Sequence, residues 1–585
     1  MMKRNMKISN GQSTCRQSRA FAHLRNVAVV AAMAFGLSGC NDFLEILPMN
    51  DVVLENYWTE KADVESAVGS CYEALCDNDV ITRMGIWGES RSDNVVVGGG
   101  VPNYLNEILK ENVQPSNEMC NWSKFYQIIN RCNVVCHYAP KVQAIDPNYS
   151  EAEMKANIAE ARTIRALAYF YLIRTFRDVP YTTEPSIDDN QNYIIPATSF
   201  EKVLDTLIVD LEQVKDDAVR RYSLDRVESG RITFPTDNSS RVTRWAVYAL
   251  LADLYLWKGD WTNAVKYCDL VLDYKREQLK ELQQQGQVTK IELFNNVPLI
   301  VEKPSGSSDC GTAYTDLFGN GNSFESLFEL YFNGKDGSKN NYVSSFYGNG
   351  ETTLGYYSIA KFIVDEMKGG KNEVFTNKDC RFYEAYKLSG TSTYAVGKYA
   401  RSNISFNTDN LSSMTISGSS RPKSTPNANW IIYRLSDVAM IKAEALIEDT
   451  INGDLEQAFL LINAVNRRGI NVPPSKLSKD TLAMATYTTS KLQMEDLLLA
   501  ERQREFLFEG KRWYDLVRFA RRDGNTSRLS GYVLQKYKQE QNVIKVKMAD
   551  PNYIYFPYAK NELKVNPLLH QNPAFNKGED SDLTK

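Results

Sequence analysis

The chain has 585 residues, 68 Lys plus Arg against 72 Asp plus Glu, a formal charge of -4 and 43% hydrophobic residues. With a mean hydropathy of -0.40, this composition argues against a multi-span membrane protein, and the slightly acidic balance argues against a general nucleic-acid binder. Three histidines are few for a zinc enzyme, whereas 33 Tyr, 24 Phe and 8 Trp suit either packed helices or rings that stack on a ligand.

Residues 1–39 read as an export signal. Six basic residues and no acidic one precede residue 40. The apolar run Val27 to Leu37 has the length of a signal core and is too short to span a bilayer. It ends in Leu37-Ser38-Gly39-Cys40, which resembles a bacterial lipobox and predicts acylation of Cys40 with retention at a membrane surface. Eight later cysteines do not amount to a dense disulfide framework. Cys132, Cys136 and His137 fall on a predicted helix from Trp122 to Tyr138 and, lacking a fourth ligand, read as packing. No metal site is expected.

Helices dominate both ends of the mature chain. In Glu160 to Arg174, Ile164, Leu167, Ala168, Tyr171 and Leu172 recur at helical spacing, and Asp178-Val179-Pro180 ends the run. A second helix is predicted from Ser199 to about Arg220. Then Arg244 to Trp257, the turn Lys258-Gly259-Asp260 and a helix from Trp261 form a hairpin. Its design returns in Tyr433 to Ile447, Asn452-Gly453-Asp454 and the helix opened by Leu455. In both, an alanine (Ala264, Ala458) falls four residues after the Gly-Asp aspartate. Small residues let paired helices approach closely, so the units read as tetratricopeptide-like. A last long helix is predicted from Lys491 to Arg522, with Ser490 and Gln493 as a capping box and Trp513 among its packing residues.

Between these helical parts, about 290–430, the chain is rich in Gly, Ser, Asn and Tyr, with Ser326 to Tyr331 alternating like a short strand. The region reads as a loop-rich excursion where ligand contacts commonly sit. Trp87, Asp93 and Asn94, together with Tyr342, Tyr347 and Tyr357, are the predicted platform for a neutral oligosaccharide: rings for C–H faces and short polar groups for hydroxyls. An extended peptide is the nearest alternative ligand. Glu501, Glu505 and Glu509, four apart, suggest a glycoside hydrolase, but interleaved Arg502, Arg504, Lys511, Arg512 and Arg518 favour structural ion pairs. No nucleotide loop, Gly-x-Ser-x-Gly elbow or HExxH motif is present.

Several of these motifs occur together and in order. They are Glu160 to Arg174 with Asp178-Val179-Pro180, Trp257 to Trp261, Tyr433 to Asp437 leading into Lys442 to Ala445, Asn463 to Arg468, Glu501 to Glu505, Phe508 to Arg518, and the closing Phe556-Pro557, Asn566-Pro567 and Gln571-Asn572-Pro573. In this order after Cys40 the chain resembles the SusD/RagB outer-membrane lipoproteins of Bacteroidetes. The resemblance implies a mainly α fold with four tetratricopeptide-like helical hairpins, divided as 1–39 signal, 40–289 N-terminal helical region, 290–430 loop-rich region with ligand-site elements and 431–585 C-terminal helical region. It further implies no catalysis and no cofactor, a lipid anchor on the extracellular face of the outer membrane, and delivery of an oligosaccharide, or in some branches a peptide, to a SusC-like TonB-dependent transporter. Arg177 and Phe556-Pro557-Tyr558 depart from the usual pattern at two loops.

Overall fold

A computed structural model describes residues 57–576, apart from 188–190, 192, 229–230, 306, 336, 350–353, 366–370, 390–392, 408–415 and 471–481. Cys40 and the signal-like segment lie outside the described residues. Among the described residues, ten helices of twelve residues or more carry the scaffold: α1 (Lys61–Leu75), α2 (Ser123–Gln143), α3 (Glu151–Phe176), α4 (Phe200–Val214), α5 (Arg244–Lys258), α6 (Trp261–Gln285), α7 (Leu435–Glu448), α8 (Leu455–Gly469), α9 (Lys491–Phe506) and α10 (Arg512–Asp523). Each packs on the next in chain order, from α1 on α2 through α9 on α10. Four consecutive hairpins result, α1/α2, α3/α4, α5/α6 and α7/α8, as a stack of tetratricopeptide-like units requires. From Thr59 onward the chain is one compact unit.

Local chemistry starts these helices where the sequence suggests. Ser150 and Glu153 form a capping box at α3, and the Ser199 hydroxyl accepts from the Lys202 N–H at α4. The two Gly-Asp turns are equivalent: Asp260 accepts from the Asn263 N–H at 3.1 Å and Asp454 from the Gln457 N–H at 2.8 Å. Each satisfies an otherwise unpaired first-turn donor. Ala264 and Ala458 are both fully buried between helices.

Four helix expectations need correction. Helix α4 ends at Val214 rather than near Arg220, because the chain turns there (Asp217 N–H to Val214 carbonyl, 3.0 Å) and Val219 receives the Arg244 N–H at 2.9 Å. The helix predicted from Trp122 to Tyr138 continues through Pro140 to Gln143. The helix predicted from Lys491 to Arg522 is two helices, α9 and α10. Phe508 (φ 65°) and Gly510 (φ 68°) reverse the chain between them, and that left-handed backbone cannot continue a helix. Ser490 makes no capping bond; Gln493 instead accepts from the Thr489 hydroxyl at 3.4 Å.

The chain leaves the stack after α6 and returns at α7, yet α6 and α7 pack side by side. Among its described residues, the excursion between them consists of two-stranded antiparallel ladders and short helical turns. Strand Ser326–Leu330 pairs with Trp430–Arg434 and is buried at every position instead of alternating, because it is covered on both faces.

Candidate functional site

The six residues predicted as a ligand platform are brought close together, but inside the protein. Trp87 is fully buried; its Nε1 donates to the Met119 carbonyl at 3.0 Å and its ring lies 4.9 Å from Phe125. Asp93 forms a two-pronged pair with Arg512 at 2.8 and 2.9 Å, and Asn94 bridges Glu89 (2.7 Å) and Gln503 (2.9 Å). The Tyr347 hydroxyl donates to the Phe508 carbonyl at 2.7 Å and meets the Tyr342 hydroxyl at 3.3 Å. Tyr357 meets Ser90 at 2.5 Å, on a strand paired with Val95–Val97. All six are at most 1% exposed. A ring without a solvent-facing side cannot stack on an incoming sugar, so in this conformation they join three distant parts of the chain. Gly88 belongs to the same junction: a Cβ there would fall 1.8 Å from the Gly510 carbonyl oxygen. Burial raises the Glu89 carboxyl at the centre of the cluster to about 7, against hydrogen bonds from Asn94 and Gly510.

The three glutamates considered for hydrolysis are equally enclosed. Glu501 and Glu505 share Arg381 at 2.7 and 3.0 Å. Glu505 also meets Arg434 at 2.5 Å and Arg468, and Glu509 meets Arg434 at 2.7 Å and Lys398 at 2.6 Å. Most of these partners come from distant segments; of the neighbours read from the sequence, Arg504 pairs with Glu501 at 2.6 Å. Glu444 likewise pairs with Arg518 at 2.6 Å. Burial pushes the Glu505 carboxyl up, but Arg468, Arg434 and Arg381 outweigh it and hold the group well below its ordinary range. The void beside Glu505 is about 20 Å³, too small for a sugar ring.

The open site lies elsewhere. A cleft of about 550 Å³ is walled by Ile232 to Thr236, by the ends of the hairpin Ile291–Phe294/Val297–Ile300, and by the turn from Asp316 to Phe324. Phe234 and Phe324 stand 6.2 Å apart; Phe234 is half-buried. Around them lie Thr233, Thr236, Asn320, Asn322 and Ser323. The charged lining groups, Lys290 and Asp316, face each other at 3.4 Å, and Asn320 donates to Asp316 at 3.2 Å. The cleft is therefore polar yet electrically balanced. Its turn depends on Gly321 (φ 69°), where a Cβ would come within 2.4 Å of the Asn429 amide, followed by Asn322 at φ 48°; asparagine tolerates that left-handed region better than most residues. The Gly319-Asn320-Gly321 run is a turn signal in the sequence. Its pairing with Ile232 to Thr236, about 85 residues upstream, carries no local signal.

A second cleft of about 390 Å³ lies between α2, the loop after Pro180 and the C-terminal segment, lined by Trp122, Ile129, Ile194, Val565 and Leu569. Its amides are spent on backbone: Asn133 donates to the Glu184 carbonyl at 3.1 Å and Asn566 to the Ile195 carbonyl at 2.8 Å. The surface it presents is mainly apolar and suits a hydroxyl-rich ligand less well.

Comparison with known proteins bears on both fold and site. A family model described as "SusD family" matches residues 314–575, and one described as "Starch-binding associating with outer membrane" matches residues 42–256. The chain belongs to the SusD/RagB family. It is 24% identical to SusD-like protein P38 of Formosa agariphila, covering 82% of this chain and 88% of that one. It is also 24% identical to SusD-like protein P25 of the same organism, covering 95% and 99%. Among solved structures it resembles surface glycan-binding protein A from Bacteroides thetaiotaomicron in complex with laminarihexaose, at 18% identity and a TM-score of 0.58, with 88% of this chain and all of that one covered. Among the described residues, no helix of this SusD/RagB protein is long and apolar enough to cross a membrane.

Proposed function

We propose that this protein is a non-catalytic, surface-exposed glycan-binding lipoprotein that captures a neutral oligosaccharide in the cleft around Phe234 and Asn322 and passes it to a SusC-like TonB-dependent transporter. The observation that carries the reading is the cleft itself: a half-buried ring beside short hydroxyl and amide side chains, with the lysine and aspartate neutralising each other. A neutral sugar offers C–H faces to the ring and hydroxyls to the amides, whereas a strongly acidic ligand would want unpaired cations. The carboxylates that could support hydrolysis face guanidinium groups in the interior, so binding without bond cleavage is the chemistry the surface supports. The lipobox-like Leu37-Ser38-Gly39-Cys40 supports anchoring through Cys40, and the family supports the outer membrane and the transporter.

Calorimetric titration of the chain from Asn41 onward against glycan and peptide panels, with product analysis after long incubation, tests this. Intact oligosaccharide bound and recovered is the expected result; peptide-only binding or turnover contradicts it. Mass spectrometry of the membrane-extracted protein is expected to find an acylated N-terminal Cys40, and mild detergent extraction to recover a TonB-dependent barrel with it.

A further inference from the structure

Directly behind the cleft sits a buried carboxylate. Glu329 lies on Ser326–Leu330, opposite Ile431, and is fully enclosed. Its Oε1 accepts the backbone N–H of Asn322 and lies 3.5 Å from the Ser239 hydroxyl. That hydroxyl in turn donates to Asn322 Oδ1 at 2.6 Å. Asn322 is thus held through both its backbone and its side-chain oxygen, in the left-handed conformation that bends the cleft wall. With Oδ1 tied back, Nδ2 is the atom left to donate to a ligand oxygen.

The groups around Glu329 are neutral: Asn322, Ser326, Asn429 and Ser239, with the Tyr399 phenol also facing it. Charged groups on neighbouring elements are engaged elsewhere. Arg434 on the paired strand holds Glu505 and Glu509, Lys275 of α6 donates to the Phe324 carbonyl at 2.5 Å, and Asp237 on the short helix Asp237–Ser240 is exposed. A buried carboxylate without a cation resists ionisation, and burial raises this one to about 7 against the bonds it accepts. Once ionised, it accepts charge-assisted hydrogen bonds roughly twice as strong as neutral ones.

We propose that Glu329 is the positioning residue of the cleft, holding Asn322 with its amide toward the ligand, so that glycan capture tightens when the carboxyl ionises and loosens when it is protonated. The inference rests on the cleft being the glycan site. Its test therefore has one arm that needs no ligand. In the chain from Asn41 onward labelled with ¹⁵N-asparagine, the Asn322 amide, assigned by its loss in Asn322→Gly, is expected to titrate near pH 7 in the wild type and not in Glu329→Gln. Glycine keeps the positive φ without strain, and glutamine keeps an oxygen for the Asn322 N–H, so both variants should fold.

The second arm uses the tightest binder from a panel of neutral hexaoses, laminarihexaose among them. Its affinity is expected to rise about threefold or more from pH 6 to pH 8 in the wild type, to be flat in Glu329→Gln, and to fall at least tenfold in Asn322→Gly. Since burial also lowers Lys275 to about 8, the Glu329→Gln profile separates the two groups. An Asn322 amide indifferent to pH overturns the role of Glu329 while leaving the cleft standing. An amide that titrates beside binding unaffected by Asn322→Gly overturns both the positioning role and the cleft as the glycan site.

Discussion

Two polar regions of this protein are built from the same kinds of residue and do opposite work. The first is the interior network of Glu501, Glu505 and Glu509 with Arg381, Arg434, Arg468 and Lys398, joined to the second buried cluster of Asp93, Arg512, Asn94 and Gln503. The other is the cleft of Asn320, Asn322, Asp316 and Lys290. In the interior Asp93, Glu501, Glu505 and Glu509 each meet guanidinium or ammonium groups, leaving no room for a ligand. At the cleft, charges cancel pairwise while amides and hydroxyls still border open space. Polarity and aromatic content alone do not mark a binding site; what marks one is polar capacity that the protein has not already consumed on itself.

Breaking the interior should be costly and should leave the cleft's chemistry intact. Glu505→Gln leaves three arginines short of a counter-charge, and loss of one partner of a buried pair typically costs about 3–5 kcal/mol. A large fall in thermal midpoint is expected, with unchanged affinity in whatever fraction stays folded. The same group sets an acid limit. Because its folded pKa is depressed, Glu505 contributes stability that is present above its ordinary value of 4.5 and is lost as pH falls toward the folded value. Wild type should therefore lose stability on acidification over a range in which Glu505→Gln shows a shallower slope. Identical slopes in the two proteins would remove Glu505 from the account.

Trp87→Ala should be almost as damaging, at about 3–5 kcal/mol for deleting a packed aromatic, with ligand affinity unaltered. If the variant is stable and loses binding, the ring works in a conformation other than this one. A smaller effect is expected at the helix turns: Asp454→Ala removes an N-cap and should cost about 1 kcal/mol in denaturant unfolding. Smallest in stability is Asn320→Ala on the cleft rim, where the side chain is exposed. It should move the midpoint hardly at all and still weaken glycan binding.

Glu329 stands between the two regions and carries the opposite pH sign to Glu505. Its folded pKa is raised, so its contribution to stability is fully present below 4.5 and is lost as pH rises through about 7. Glu329→Gln is thus expected to gain stability relative to wild type between pH 5 and pH 8, read from thermal midpoints. A constant difference across that range would place the titrating group elsewhere.

The scaffold was largely legible in the sequence because its signals are local. Asp260 and Asp454 cap the next helix three residues on, and Ala264 and Ala458 mark the close-packed face. The break between α9 and α10 was not legible, since Phe508 adopts a conformation that its own type disfavours, held by the Tyr347 hydroxyl on its carbonyl. The platform of Trp87, Asp93, Asn94, Tyr342, Tyr347 and Tyr357 illustrates the same limit. The flanks suggest loops, yet Trp87 and Tyr347 lie in the helical turns Ile86–Ser90 and Val343–Tyr347 and Tyr357 lies on a strand, and whether such a ring turns outward or inward depends on segments hundreds of residues away. The cleft went unseen for that reason too. Phe234 and Phe324 sit in separate regions of the sequence and become a pair only when the excursion folds back on the hairpin beside α6.

The contrast between the enclosed cluster and the open cleft can be read in one hydrogen–deuterium exchange experiment, comparing the chain from Asn41 onward with and without a saturating oligosaccharide. New protection is expected at 232–236, 290–300 and 316–324, and none at 84–97, 342–347 or 354–359, which should already exchange slowly in the free protein. Protection appearing at 84–97, 342–347 and 354–359 while 232–236, 290–300 and 316–324 stay unchanged would contradict the cleft as the glycan site.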